Sequence, residues 1–314
     1  MKAVLQYRAS PGFRRQIDAL VPDWLDVAVI DEADKPAFAD AMQDAEILLH
    51  VLEAVTANVI ANAPELRLIQ KIGVGVNTID LKAAGQHDVA VCNMPGTNSR
   101  AVAEMTLTLM LSALRRVPYY DARMRAGDGW TANLDSFDGL GEIAGRTVGL
   151  VGYGDVACIL APVLNAMGAR VLYTATSQKA DADAEWQDLP ALLREADIVS
   201  LHLPLTPDTE TMIDAAAIAT MKPGSILVNT ARGGLVDEAA LVQALTSGHL
   251  RAAGLDVVTI EPAPAGNPLF ALDNVVVMPH IAWVTPETLE RSLGIAFENC
   301  RRVRDGEDLL HRVV

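Results

Sequence analysis

Two doubly wound α/β domains are predicted by three features of the sequence. Short β-rich runs alternate with helical stretches along the whole chain, the runs fall into two sets, and a glycine turn opens the second set. The chain's 314 residues also exceed what a single hydrophobic core usually supports.

The first set reads KAVLQY, DVAVI, EILLH, LRLIQKI and VAVCN, five strands that suit a flavodoxin-like layout. Next comes SRAVAEMTLTLMLSALRR, begun by Asn98 or Ser99 and apolar around nearly its whole circumference. Such a helix is buried on several sides, either crossing between domains or entering a subunit interface, and Pro118 marks its end. The second set starts at Arg146 and reads RTVGLVG, ARVLYT, DIVSLHL, SILVNT, AAGLDV and NVVVM, the six strands of a Rossmann dinucleotide-binding domain. Thr285 and Pro286 then form a helix start, with Glu287 near its positive end. The economical layout returns this helix to the first domain. It gives a discontinuous first domain of residues 1–98 and 285–314, a second domain of residues 99–284, and hinges near Asn98 and Val284.

Twenty-five Lys and Arg against 40 Asp and Glu leave a net charge of −15, which repels a phosphate backbone and excludes nucleic acid as a partner. No signal-peptide pattern follows Lys2 and no run approaches a membrane span, so a soluble, cytoplasmic protein is expected. Cys92, Cys158 and Cys300 are scattered without metal-ligand spacing and read as small thiols in a reducing compartment; no metal is expected.

In VGLVGYGDVA, Gly152, Gly154 and Ala157 follow a strand and open a helix. Gly152 suits the tight turn, Gly154 admits a pyrophosphate to the backbone, and Ala157 lets helix and strand pack closely. The helix N-terminus adds unpaired N–H groups and partial positive charge. Pro162 lies inside this helix, where it costs about 3 kcal/mol unless something compensates. The acid that holds the ribose hydroxyls of NAD belongs at the end of the next strand, yet no carboxylate occurs there before Asp181. Thr176, Ser177 and Lys179 stand in its place and suit the 2′-phosphate of NADP, which is favoured with NAD as the alternative. Tyr153, Asp155, Val156, Pro204 and Thr230 complete the expected cofactor contacts.

Three further segments, NTARGGLVDE around Arg232, GLDVVTIEP around Asp256 and Glu261, and MPHIAW around His280, carry the types of residue that carbonyl reduction needs. Reducing a 2-keto acid takes a hydride on carbon, a proton on the developing alkoxide and a cation on the carboxylate. Arg232 has the planar fork for the carboxylate. His280, just past a buried strand, would be the proton donor, with Glu261 fixing its tautomer. Each residue taken singly has a plainer reading: a satisfied histidine at a strand end, a surface arginine in a glycine turn, a solvated loop acid. Together, and with KIGVGVNTID and VAEMTLTLM, they make the sequence resemble the D-2-hydroxyacid dehydrogenase family over essentially its whole length. The resemblance implies that Asp256 accepts from the nicotinamide carboxamide, that main-chain N–H groups of Val74 and Gly75 bind the substrate carboxylate, and that the protein is a homodimer through its second domain. His50, His87, His202, His249 and His311 lack any such pattern and are read as structural.

The loop at His50–Glu53 carries no Lys or Arg, and Glu53 would repel a phosphate, so 3-phosphoglycerate is disfavoured. The absence of a further regulatory domain points the same way. Trp283, in HIAW, resembles the pocket wall of glyoxylate and hydroxypyruvate reductases, and a small 2-keto acid of that kind is the favoured substrate. Two alternatives share the constellation: a nicotinamide-sensing binding protein like the C-terminal-binding corepressors, and a dehydrogenase with another donor, such as formate or phosphite.

Overall fold

The computed structural model describes residues 1–131 and 134–314. The chain divides into two compact units, Met1–Asn98 with Val284–Val314, and Ser99–Trp283.

The first unit alternates strand and helix: β1 (Lys2–Gln6), α1 (Pro11–Leu20), β2 (Asp26–Ile30), α2 (Lys35–Ala41), β3 (Ile47–His50), α3 (Ala57–Ala61), β4 (Leu68–Lys71), α4 (Leu81–Gln86) and β5 (Ala90–Cys92). All strand pairs are parallel, in the order β2-β1-β3-β4-β5, the flavodoxin-like order. β3 and β4 are buried at every residue, as a sheet covered on both faces requires. The helices start where the sequence offers caps: Ser10, Asp34, Thr56 and Asp80 each accept a main-chain N–H three residues on.

The second unit contains α5 (Ser99–Arg115), α6 (Val117–Ala126), β6 (Thr147–Val151), α7 (Asp155–Ala166), β7 (Arg170–Thr174), β8 (Glu185–Trp186), α8 (Leu189–Glu195), β9 (Ile198–Leu201), α9 (Ala215–Thr220), β10 (Ser225–Asn229), α10 (Glu238–Ser247), β11 (Leu250–Leu255) and β12 (Val275–Val277). Its parallel sheet has seven strands, not the six expected, in the order β12-β11-β10-β9-β6-β7-β8. The additional member is β8, two exposed residues on the sheet edge, too short and too polar to announce itself by hydropathy. The strand order reverses between β6 and β9, and crevices at such reversals bind ligands in open α/β sheets.

Helix α5 lies within this unit. It packs on α7, β10, β11 and β12, burying Val102, Leu109, Met110 and Leu114, while Glu104, Thr108 and Arg115 form one exposed stripe. Gly254 of β11 permits the contact, since a Cβ there would stand 2.9 Å from the Cβ of Leu109. Pro118 does more than end a helix: after Arg116 turns left-handed, at φ 51°, it occupies the first turn of α6. Pro162 sits on the exposed face of α7. Cys158, whose carbonyl is deprived of its helical donor by Pro162, is an exposed residue on the same stripe.

The last helix, α11 (Pro286–Asp305), belongs to the first unit and packs on α1 and β4. Thr285 caps it by accepting from Thr288 N at 3.1 Å. The terminal residues then run along β5, with Val313 N donating to Val91 O at 2.7 Å.

Candidate active site

Three adjacent strands of the second unit, β10, β11 and β12, deliver Arg232, Glu261 and His280 from their carboxyl ends. His280 Nδ1 lies 2.6 Å from Glu261 Oε2, and the other carboxylate oxygen accepts from Val258 N at 3.0 Å. Burial alone would raise the Glu261 carboxyl, but the hydrogen bond and charge of His280, the Val258 N–H and the charge of Arg232 outweigh it. The carboxyl therefore ionises below its ordinary range. Arg232 is half-buried; burial lowers its guanidinium pKa, and the Glu261 charge opposes that shift.

The side chain of Asn229 shapes the Arg232 turn. Its Oδ1 accepts from Ala231 N at 3.0 Å and its Nδ2 donates to Arg232 O at 2.8 Å, an Asx-type closure that an Asn two or three residues before a functional arginine can signal. Gly233 then brings the turn flush against the next loop, because a Cβ there would lie 2.0 Å from the Val258 carbonyl carbon. Neither contact was foreseen from sequence.

Asp256 is gripped by the main chain of the His280 segment. It is 1% exposed, and its carboxylate accepts from Ile281 N and Ala282 N at 2.9 Å each, while its main-chain carbonyl accepts from His280 N at 2.8 Å. Three successive N–H groups thus converge on one aspartate. They hold His280 at φ 55°, a left-handed conformation that costs a non-glycine residue about 1–2 kcal/mol. Burial raises the Asp256 carboxyl, against the pull of those amides and of His280. Trp283, half-buried, closes the segment.

At the strand reversal, Gly152 adopts φ 94° and backs onto the carbonyl of His202, where a Cβ would meet oxygen at 2.4 Å; only glycine fits. Gly154 faces open space, with nothing within 4 Å of a built Cβ, and no side chain caps α7. This cradle fits a dinucleotide pyrophosphate: main-chain N–H groups at Asp155 and Val156 lie in the unpaired first turn, and Ala157 is fully buried beneath them. Tyr153 stacks on Tyr173 with ring centroids 4.3 Å apart, and the Tyr173 hydroxyl accepts from Lys179 N at 2.6 Å. One aromatic pair therefore ties the glycine loop to the exposed Thr176, Ser177 and Lys179 beyond β7. Pro204 is exposed after β9, its carbonyl held by the Thr209 hydroxyl at 2.7 Å. Thr230 touches Thr106 at 2.8 Å; because Thr106 donates to Val102 O, the shared proton belongs to Thr230, whose oxygen is left as an acceptor.

Val74 and Gly75 stand in the first unit, in the turn after β4, where Gly73 O accepts from Met94 N at 2.9 Å and Val74 O from Asn93 Nδ2 at 3.0 Å. At the same sheet edge, Glu53 is not the bare negative charge that its sequence context implies. It forms an ion pair with Lys35, and the buried ammonium of Lys71 donates to Val51 O beside it. Among the described residues, no group of three or more His, Cys, Asp or Glu side chains could hold a metal ion, and no helix is long and apolar enough to cross a membrane.

Residues 107–282 match the sequence profile of the D-isomer specific 2-hydroxyacid dehydrogenase NAD binding domain. The chain belongs to this family. A D-3-phosphoglycerate dehydrogenase of Mycobacterium tuberculosis is 41% identical over 294 residues, which cover 92% of this chain and 55% of that protein. The chain thus spans about half the length of such relatives. A glyoxylate reductase of Aeropyrum pernix is 37% identical over 291 residues, covering 89% of this chain and 87% of that one. Among solved structures, the TT0316 protein of Thermus thermophilus is 38% identical, covers both chains fully and superposes with a TM-score of 0.90. The family fixes the class of cofactor as a nicotinamide dinucleotide and the class of fold as two parallel α/β domains.

Proposed function

We propose that the chain is an NAD(P)H-dependent oxidoreductase that reduces a small 2-keto acid to the D-2-hydroxy acid. The observation that carries this reading is the 2.6 Å contact of His280 Nδ1 with Glu261, formed at adjoining strand ends with Arg232. When bound, the nicotinamide supplies the hydride. Glu261 accepts from Nδ1, so Nε2 is the nitrogen from which the imidazole gives a proton to the developing alkoxide, and the Nδ1–H bond to Glu261 keeps the ring oriented. Arg232 takes the carboxylate and polarises the keto oxygen. Main-chain N–H groups of Val74 and Gly75 are assigned to the same carboxylate, which makes residues 1–98 and 285–314 the substrate-binding domain and residues 99–284 the dinucleotide-binding domain.

NADP is the favoured cofactor, with Gly152, Tyr153, Gly154, Asp155, Val156, Pro204, Thr230 and Asp256 as its other contacts. What supports it is the exposed Thr176, Ser177 and Lys179 where NAD binding asks for an acid. Glyoxylate or hydroxypyruvate is the favoured substrate, with Trp283 walling the pocket; support comes from the glyoxylate reductase relative that the chain matches over most of its length. The Lys35–Glu53 pair removes one objection to 3-phosphoglycerate and keeps it as the second reading. A cytoplasmic homodimer through the second domain is supported by the exposed Val117, Met124, Trp130 and Phe137 and by three unpaired thiols.

Purified protein tested with glyoxylate, hydroxypyruvate, 3-phosphohydroxypyruvate and bulkier 2-keto acids, each with NADPH and NADH, decides among these. Turnover of the two small acids with NADPH is the expected result. Tight cofactor binding with no turnover of any keto acid would sink the enzymatic reading.

A further inference from the structure

We propose that Glu238 is the positioning residue for the His280–Glu261 pair, an inference that rests on the carbonyl-reduction reading above. Glu261 sits in a loop with little to hold it. From Thr259 to Gly266 every residue but Ala263 is exposed, and Ile260 at the tip is 66% exposed. Loops with so little apolar burial open at low free-energy cost unless hydrogen bonds anchor them.

Two such bonds come from one side chain. Glu238 Oε2 accepts from Thr259 N and Oε1 from Asn267 Nδ2, each at 2.9 Å, so the carboxylate grips the loop on both sides of Glu261. The direction of the second bond is fixed. Asn267 is buried, and its own Oδ1 accepts from Leu269 N at 2.9 Å, which leaves Nδ2 as the donor toward Glu238. Only an acceptor with two oxygens satisfies both partners, and an ionised one does so with charge-assisted bonds.

Glu238 is itself rigidly placed. It is the first residue of α10, directly after Asp237, whose side chain caps the helix at Ala240 N. Seven residues of chain, Arg232 to Glu238, therefore orient the guanidinium at one end and anchor the carboxylate partner of His280 at the other. The close approach at Gly233 locks the two loops against each other between those points. Glu238 touches no reacting atom; it acts through Glu261.

The test compares Glu238→Ala and Glu238→Gln with the unaltered protein in keto-acid kinetics, cofactor titration and hydrogen exchange of the peptide spanning residues 257–267. Glu238→Ala should lose about tenfold or more in kcat, the cost of a misplaced partner group. Its KM and its cofactor Kd should stay within about twofold. Its pH profile should move in the same direction as that of Glu261→Gln, and the loop peptide should exchange faster. Glu238→Gln keeps one acceptor and should fall between the two. Unaltered kcat and pH profile in Glu238→Ala, or unaltered loop protection, would overturn the proposal. Should the parent protein reduce no 2-keto acid, the functional reading fails instead, and the exchange measurement still decides whether Glu238 anchors the loop.

Discussion

Each sheet ends in a histidine at its carboxyl edge, and the two corners have opposite electrostatics. In the first unit His50 closes β3, fully buried, with Lys71 of β4 as its register partner. Its Nε2 faces Glu53 O, and burial together with the Lys71 charge pushes its pKa down to about 3. In the second unit His280 follows β12 with a carboxylate on Nδ1 and a side chain that is 21% exposed. The same side chain is therefore locked neutral beside an ammonium at the end of a central strand in one unit, and paired with an acid beyond an outer strand in the other. What equips a histidine for proton transfer is the sign of its neighbour and access to solvent or substrate, which position in the fold alone does not supply.

The largest expected effect separates the two corners. His280→Ala should lower kcat about 10³-fold or more, by removing the proposed proton donor. His50→Asn should leave kcat within about fivefold, since that ring meets no reacting group. Equal losses in the nicotinamide absorbance assay would erase the distinction. Next in size is Glu261→Gln, for which a fall of about 10²-fold is expected, from loss of the partner that orients the ring. The unaltered pair has a defined pH limit. Because the folded Glu261 carboxyl lies below its ordinary 4.5, its own contribution to stability is complete above 4.5 and is lost as pH falls through the lower folded value. Acid loss of the Glu261 contribution above pH 4.5 would contradict this sign.

The smallest effect sharpens the comparison from the other side. Unfolded, His50 and His202 take up protons near pH 6.5; folded, burial keeps them neutral down to about 3 and about 4. The unfolded chain binds more protons across that window, so stability falls as pH drops below 6.5. The slope is about 1.4 kcal/mol per pH unit for each histidine. Urea unfolding from pH 7 to 5 should show a shallower dependence in His50→Asn than in the parent protein. An unchanged slope would mean that His50 is not held neutral.

Some of this was readable along the chain, because the signals are local. β-rich runs fix strands, a glycine and a small residue at set offsets fix the turn before α7, and Thr285–Pro286 fixes the start of α11, each through the conformational preferences of a few neighbouring residues. The three residues of the trio could be picked out along the chain too, as the types that the proposed carbonyl reduction needs, and the structure sets them at adjoining strand ends. What the tertiary structure alone decided are relations between segments far apart in sequence. These include a two-residue edge strand that only its pairing with β7 defines, and a Lys35–Glu53 pair that cancels a charge the sequence left bare. They also include the three amides wrapped on Asp256, and Glu238 reaching Thr259 and Asn267. Hydrogen bonds and ion pairs hold over about 3 Å whatever the sequence separation, so no local pattern encodes their partners until the sheets bring strand ends together.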